Sequence, residues 1–327
     1  MINVLLIGLG ITTLTALESL ISNCNIQGIV RNIDVESYTD DPIIILAKQS
    51  GIPIFTEVSQ QQIKDLILQL KPDYVVVSSY NKILTPEIIE LCTFINVHYS
   101  PLPQYRGRAN VNWAMINDER FAAITIHRIS PELDEGNILF QQLIPISSEA
   151  TVADLYHNLN EIQREHLGKT LVKAFDGCEG IPQDSSKATY CCTRLPDDGE
   201  INWSESTRKI DCFIRALVFP FPGAYTYFQG KKLIIWQAKP VDDPPTYVGR
   251  VPGRIIARSK SKGYVDVLTG DGVLRIWEVQ WDKGEKTAAS NVIKSVKSTL
   301  GLSKSDLLNR LQVLEEEITN LKKYCTK

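Results

Sequence analysis

The sequence lacks any uncharged apolar run of about eighteen residues, the length a membrane-spanning helix needs. Met1-Ile2-Asn3 carries no basic residue, so the start does not read as a secretory leader. No C-x-x-C and no His/Cys set at zinc spacing occurs, so no metal is expected. The seven cysteines are odd in number and scattered, with Cys191 and Cys192 adjacent, which is no disulfide framework. Free thiols in a cytoplasmic protein are the expectation. Neither sign of charge dominates: the net is −3, which argues against broad affinity for nucleic acid or an anionic membrane. Repeats and low-complexity tracts are absent too. What remains is ordinary globular composition, 43% apolar and 22% charged, in a chain of 327 residues with room for about two domains.

The first half alternates strands and helices. Residues 2–7 form an apolar run, Gly8-Leu9-Gly10 follows, and a helix begins at 12 or 13. This is the opening of a doubly wound sheet. The third position of the G-x-G-x-x-G pattern is Thr13, so a tight strand-to-helix turn is the plainer reading and a dinucleotide site the other. Further strands are expected at 25–30, 53–55, 73–77 and 94–98, with helices at 42–49, 59–70 and 86–91 between them. The run at 73–77 is wholly apolar after its first residue, as a central parallel strand should be.

The chain is organised around residues 94–113, FINVHYSPLPQYRGRANVNW. Asn96 and His98 are two apart on an expected strand, so they share a face. They end that strand at the edge where open α/β sheets place their sites, and Ser78-Ser79-Tyr80 ends its neighbour there. Pro101 and Pro103 then break the strand, and Tyr105-Arg106-Gly107-Arg108 brings two fixed positive charges before a helix at 109–116. After it come strands at 123–129 and 138–144, a polar loop between them, and a long helix at 151–175.

Residues 185–200 are a polar connection, and three segments are expected: 1–190, 191–300 and 301–327. Short strands between 225 and 281, separated by Gln229-Gly230 and Gly270-Asp271-Gly272, read as a small barrel. In the last segment Leu307, Leu311, Leu314, Ile318 and Leu321 recur at heptad spacing. Packing on the chain itself and packing on a second subunit both satisfy that seam. A homodimer is the expectation.

Residues 96–107, NVHYSPLPQYRG, resemble the signature of the 10-formyltetrahydrofolate-dependent formyltransferases. Leu133-Asp134-Glu135-Gly136 is similar to that family's second motif. Residues 194–199 and 214–227 resemble the entry to its C-terminal barrel. Pro101 departs from the motif, where Leu is commoner. The run from Tyr105 to Trp113, with Ile126-His127-Arg128, most resembles the amino-sugar formyltransferases acting on nucleotide-linked sugars, the UDP-4-amino-4-deoxy-arabinose enzymes among them.

The resemblance implies an α/β, Rossmann-like parallel-sheet domain, a smaller mostly-β barrel and a C-terminal helix. It implies N10-formyltetrahydrofolate as formyl donor, with Asn96, His98 and Asp134 as the catalytic set. Tyr80, Ile129, Leu133 and Asp134 are expected to meet the folate. Gly8, Gly10, Ser100, Arg106, Arg108 and Arg215 are expected to meet the acceptor. That acceptor would be a nucleotide-linked amino sugar used in cell-surface polysaccharide or lipopolysaccharide synthesis. Transfer-RNA formyltransferases resemble the chain nearly as well, but usually carry a basic insertion between the second strand and the next helix. Here residues 31–41 hold one basic and four acidic side chains, a poor surface for phosphates. Formyl-folate hydrolysis and non-catalytic nucleotide binding are the other readings.

Overall fold

The computed structural model describes residues 1–31, 40–56, 58–80, 82–302 and 304–325. The acidic strip noted above therefore lies, from 32 to 39, outside the described residues. The chain divides into two compact units, Met1–Ala114 with Glu119–Ala150 and Asp154–Thr193, and Arg194–Lys327 with Met115–Asp118 and Thr151–Ala153.

The first unit begins β1 (Ile2–Gly8), α1 (Thr12–Ile21), β2 (Cys24–Val30), α2 (Pro42–Gln49), β3 (Ile54–Phe55), α3 (Gln60–Leu70), β4 (Tyr74–Ser78), α4 (Pro86–Ile89) and β5 (Thr93–His98). The two-residue β6 (Arg106–Gly107), α5 (Asn110–Ile116), β7 (Phe121–Arg128), β8 (Ile138–Pro145), α6 (Val152–Phe175) and two-residue β9 (Tyr190–Cys191) follow. The sheet runs β3-β2-β1-β4-β5-β7-β8. Its first five strands are parallel, and β7 joins β5 antiparallel. All five residues of β4 are buried, as its unbroken apolar run requires. Leu5, Ile7, Val75, Val77 and Phe94 pack on one face against Ile63 and Ile67 of α3 and Ile88 of α4. Each such side chain contributes about 1.5–3 kcal/mol when fully buried.

Local chemistry sets the helix starts. Asp41 caps α2, accepting from the Ile43 and Ile44 amides, and also pairs with the buried Arg31 guanidinium. Ser59 and Gln62 form a reciprocal capping box on α3. The helix expected from 109 starts at Asn110, because Ala109 is left-handed with φ +58°.

In the second unit α7 (Thr207–Arg215) precedes an antiparallel sheet of β10 (Ala224–Phe228), β11 (Lys231–Pro240), β12 (Ile255–Ser259), β13 (Tyr264–Leu268), β14 (Val273–Trp281) and β15 (Lys286–Ala288). The strand order is β10-β11-β14-β13-β12, with β15 on β14. The third of these strands, β12, begins only at Ile255. Pro252 and a left-handed Gly253 keep the preceding residues out of the sheet. The short α8 (Ala289–Val292) and the 22-residue α9 (Lys304–Cys325) complete the chain. Among the described residues no helix is long and apolar enough to cross a membrane.

Candidate active site

The end of β5 opens into a cavity of about 670 Å³ within the first unit, a size suited to a small organic ligand. Asn96 and His98 both line it, as their shared strand face requires. The antiparallel partner β7 sets His127 directly opposite Asn96. Asp134 enters from the loop after β7 with φ +51°, left-handed for a non-glycine residue. Its carboxylate lies 3.7 Å from His98 Nδ1 and accepts the Gly107 amide at 2.9 Å. Asn96, His98 and Asp134 thus converge on one wall.

Hydrogen bonds assign the imidazole and amide orientations. His127 Nδ1 lies 2.8 Å from the Arg128 carbonyl, so it carries the proton and donates. Its Nε2 is then an acceptor and receives Asn96 Nδ2–H at 3.1 Å. That choice fixes which end of the Asn96 amide carries hydrogens. The second Asn96 N–H meets Asp134 Oδ1 only at 3.5 Å, the limit of a hydrogen bond, so it can turn to an oxygen in the cavity. His98 Nε2 lies 3.0 Å from the Tyr105 carbonyl and donates to it, because Asn110 Nδ2 spends its hydrogens on the Tyr105 and Gly107 carbonyls. His98 Nδ1, facing Asp134, is the nitrogen left to exchange a proton.

His127 is fully buried, and desolvation first, then the neighbouring His98, push its pKa down to about 4. It stays neutral at working pH, as an acceptor for Asn96 must. An unfolded histidine titrates near ~6.5. Above that pH neither state binds a proton here and the stability is fully present. Below it the unfolded chain takes up a proton that the folded chain refuses. Stability should therefore fall as pH drops from ~6.5 to about 4, by about 3 kcal/mol from this residue. Urea midpoints across that range should show the slope, and His127→Gln should flatten it. An equal slope in the variant would assign it elsewhere.

A strap holds the Asp134 loop. Gln183 Nε2 donates to the Asp134 carbonyl at 2.7 Å and the Gly136 carbonyl at 2.8 Å. Arg106, buried at 1% exposure, donates to Gln183 Oε1 at 2.9 Å and faces Glu135 at 3.5 Å. Gly136 is needed because a Cβ there would stand 1.9 Å from the Arg128 carbonyl oxygen.

The residues expected at the folate, Tyr80, Ile129, Leu133 and Asp134, all line the cavity. Tyr80 Oη is buried and has no hydrogen-bond partner among the described residues, and burial raises its pKa. It is a donor for a ligand seated there, and the apolar Ile83, Leu84 and Ile89 beside it suit a flat aromatic ring.

Of the residues expected at the acceptor, Arg108 lines the cavity. The other five are placed elsewhere. A Cβ on Gly8 would lie 2.2 Å from Thr13 Oγ1, and one on Gly10 would lie 2.9 Å from Ser79 Cβ. Both glycines serve the close approach of α1 to β4. Ser100 is buried and donates to the Gln104 carbonyl at 3.0 Å. Arg106 is part of the strap, and Arg215 pairs with Asp211 at 2.9 Å in the second unit. None of these five lines the cavity.

A family model described as "Formyl transferase" matches residues 19–171, and one described as "Formyl transferase, C-terminal domain" matches 195–297. Methionyl-tRNA formyltransferase of Carboxydothermus hydrogenoformans is 33% identical over 264 residues, 80% of this chain and 84% of that protein. Methionyl-tRNA formyltransferase of Caldanaerobacter subterraneus subsp. tengcongensis is 35% identical over 252 residues, 75% and 79% of the two chains. Among solved structures, the N-formyltransferase from Helicobacter canadensis, in complex with folinic acid and dTDP-3-aminofucose, has a TM-score of 0.65. It is 19% identical over 88% of this chain and 100% of its own, a likeness of fold.

Proposed function

The chain belongs to the formyl transferase family, and on that premise we propose that it transfers a formyl group from N10-formyltetrahydrofolate to the primary amine of a nucleotide-linked amino sugar. The convergence of Asn96, His98 and Asp134 on one cavity wall carries the reading. Bound N10-formyltetrahydrofolate supplies an activated formyl carbon whose oxygen gains negative charge when an amine attacks. Asn96 offers an N–H to that oxygen, held in place by His127. His98 takes the proton of the attacking amine at Nδ1 and returns it to the departing folate nitrogen. Asp134, 3.7 Å from that nitrogen, stabilises the imidazolium in between. Tyr80 and the 129–134 loop hold the folate against this wall.

The sugar acceptor is supported by Arg108, which brings a fixed positive charge to the cavity beside His98 and suits a diphosphate. The four acidic side chains against one basic in residues 31–41 support it too. The Helicobacter canadensis protein, alike in fold, is in complex with dTDP-3-aminofucose, which supports the reading. A methionyl-tRNA acceptor is the second reading, favoured by the 33% and 35% identical relatives. Residues 194–327 also carry 22 Lys and Arg against 16 Asp and Glu, a net +6 that suits a polyanion.

Assaying UDP- and dTDP-amino sugars beside methionyl-tRNA separates the two. A nucleotide sugar should be formylated, with KM changing no more than about tenfold between 50 and 200 mM salt, since its diphosphate presents only two phosphates. Formylation of the tRNA alone, with a steep salt slope, would transfer the assignment to the second reading.

A further inference from the structure

Outside the cavity, one face of α9 presents an exposed apolar surface that the proposed reaction leaves unused. Leu307, Leu311, Leu314, Ile318 and Leu321 lie along it and are between 39% and 64% exposed. Soluble proteins seldom leave a contiguous apolar stripe of this kind in water. We propose that α9 pairs with α9 of a second copy of this chain as a parallel, in-register two-stranded coiled coil, making the protein a homodimer.

The heptad assigns Leu311 and Ile318 to the a positions and Leu307, Leu314 and Leu321 to d. Ile318, one of the two a residues, with leucine at all three d positions suits two parallel strands. The flanking charges fit the same partner. In a parallel pair each g residue faces the e residue five positions further along the other helix. Arg310 at g then meets Glu315 at e, and Glu317 at g meets Lys322 at e. Both pairs are opposite in sign, and two-fold symmetry makes each occur twice. Leu308 at e is 65% exposed and widens the stripe on the N-terminal side. The seam from Leu307 to Leu321 runs roughly 21 Å along the 22-residue helix. An antiparallel pair would also match charges, with Glu317 against Arg310 and Lys322 against Glu315 of the other copy, so orientation is tested by exchange.

Sedimentation of the full-length protein at tens of micromolar should give a dimer. Leu311→Asp with Ile318→Asp should give a folded monomer that melts cooperatively and, unlike the wild type, at a temperature independent of protein concentration, since neither position is buried within its own chain. Glu317→Lys and Lys322→Glu should each weaken the dimer several-fold by placing like charges opposite one another. Glu317→Lys combined with Lys322→Glu should restore it. A monomeric wild-type chain, or a double aspartate variant that remains dimeric, would overturn the proposal. A charge-exchanged double variant weaker than either single one would overturn the parallel pairing, because an antiparallel pair then gains two sets of repulsions.

Discussion

His98→Ala is expected to lower turnover roughly a hundred- to ten-thousand-fold, the range a positioned general acid–base supplies. The fold should survive. His98 Nε2 donates to the Tyr105 carbonyl, which the Asn110 amide also serves at 2.6 Å, so the variant leaves no buried acceptor unpaired. Folate affinity should change little, because the contacts proposed for the folate, Tyr80 and the 129–134 loop, are untouched by the substitution. The loss should therefore appear in kcat, with donor binding by fluorescence titration near the wild-type value. Asp134→Asn should show the same split, since the amide keeps the shape of the carboxylate but not the charge 3.7 Å from Nδ1. A His98→Ala enzyme with more than about a tenth of wild-type turnover would take proton transfer away from this residue.

Asn96→Ala is expected to cost about a hundred- to a thousandfold in kcat, the loss typical of one oxyanion donor. It carries a stability penalty that His98→Ala does not. His127 Nε2 is fully buried and accepts from Asn96 at 3.1 Å. Removing that donor leaves a buried acceptor unserved, at about 1–3 kcal/mol. Activity and melting should thus fall together at Asn96 and separately at His98. Steady-state kinetics run alongside thermal melts on the same preparations check both. An Asn96→Ala protein that melts early yet turns over normally would leave His127 its structural partner and remove the oxyanion role.

The parallel sheet was legible because buried strands read as unbroken apolar runs, and 75–77 are all valine. The shared face of Asn96 and His98 follows from a period of two. His127 was not legible as a site residue, because its place depends on which strand β7 pairs with and in what register. Neither pairing nor register is written in β7 itself. Gln183 was missed for a related reason: it reaches Arg106 across 77 residues of chain. Its sequence neighbourhood is polar and unpatterned. Arg106, Ser100, Gly8 and Gly10 do not line the cavity, and the sequence could not show this because each residue type has two uses. A guanidinium in a motif holds a ligand or a loop, and glycine admits a ligand or a neighbouring helix. Burial decides between them: Arg106 is 1% exposed, and Arg108 lines the cavity. The amphipathic seam of α9 was visible in sequence, and the structure adds that its residues lie exposed within the chain.

The central claim is that formyl passes to an amine at the Asn96, His98 and Asp134 wall. Supplying the enzyme with donor labelled with carbon-13 in the formyl group, with and without a nucleotide-linked amino sugar, and following the label by carbon-13 NMR tests it most directly. The account predicts a formamide signal that grows only when the amine is present, matches the tetrahydrofolate released, and disappears with His98→Ala. Label appearing as free formate at the same rate with or without the amine would contradict it.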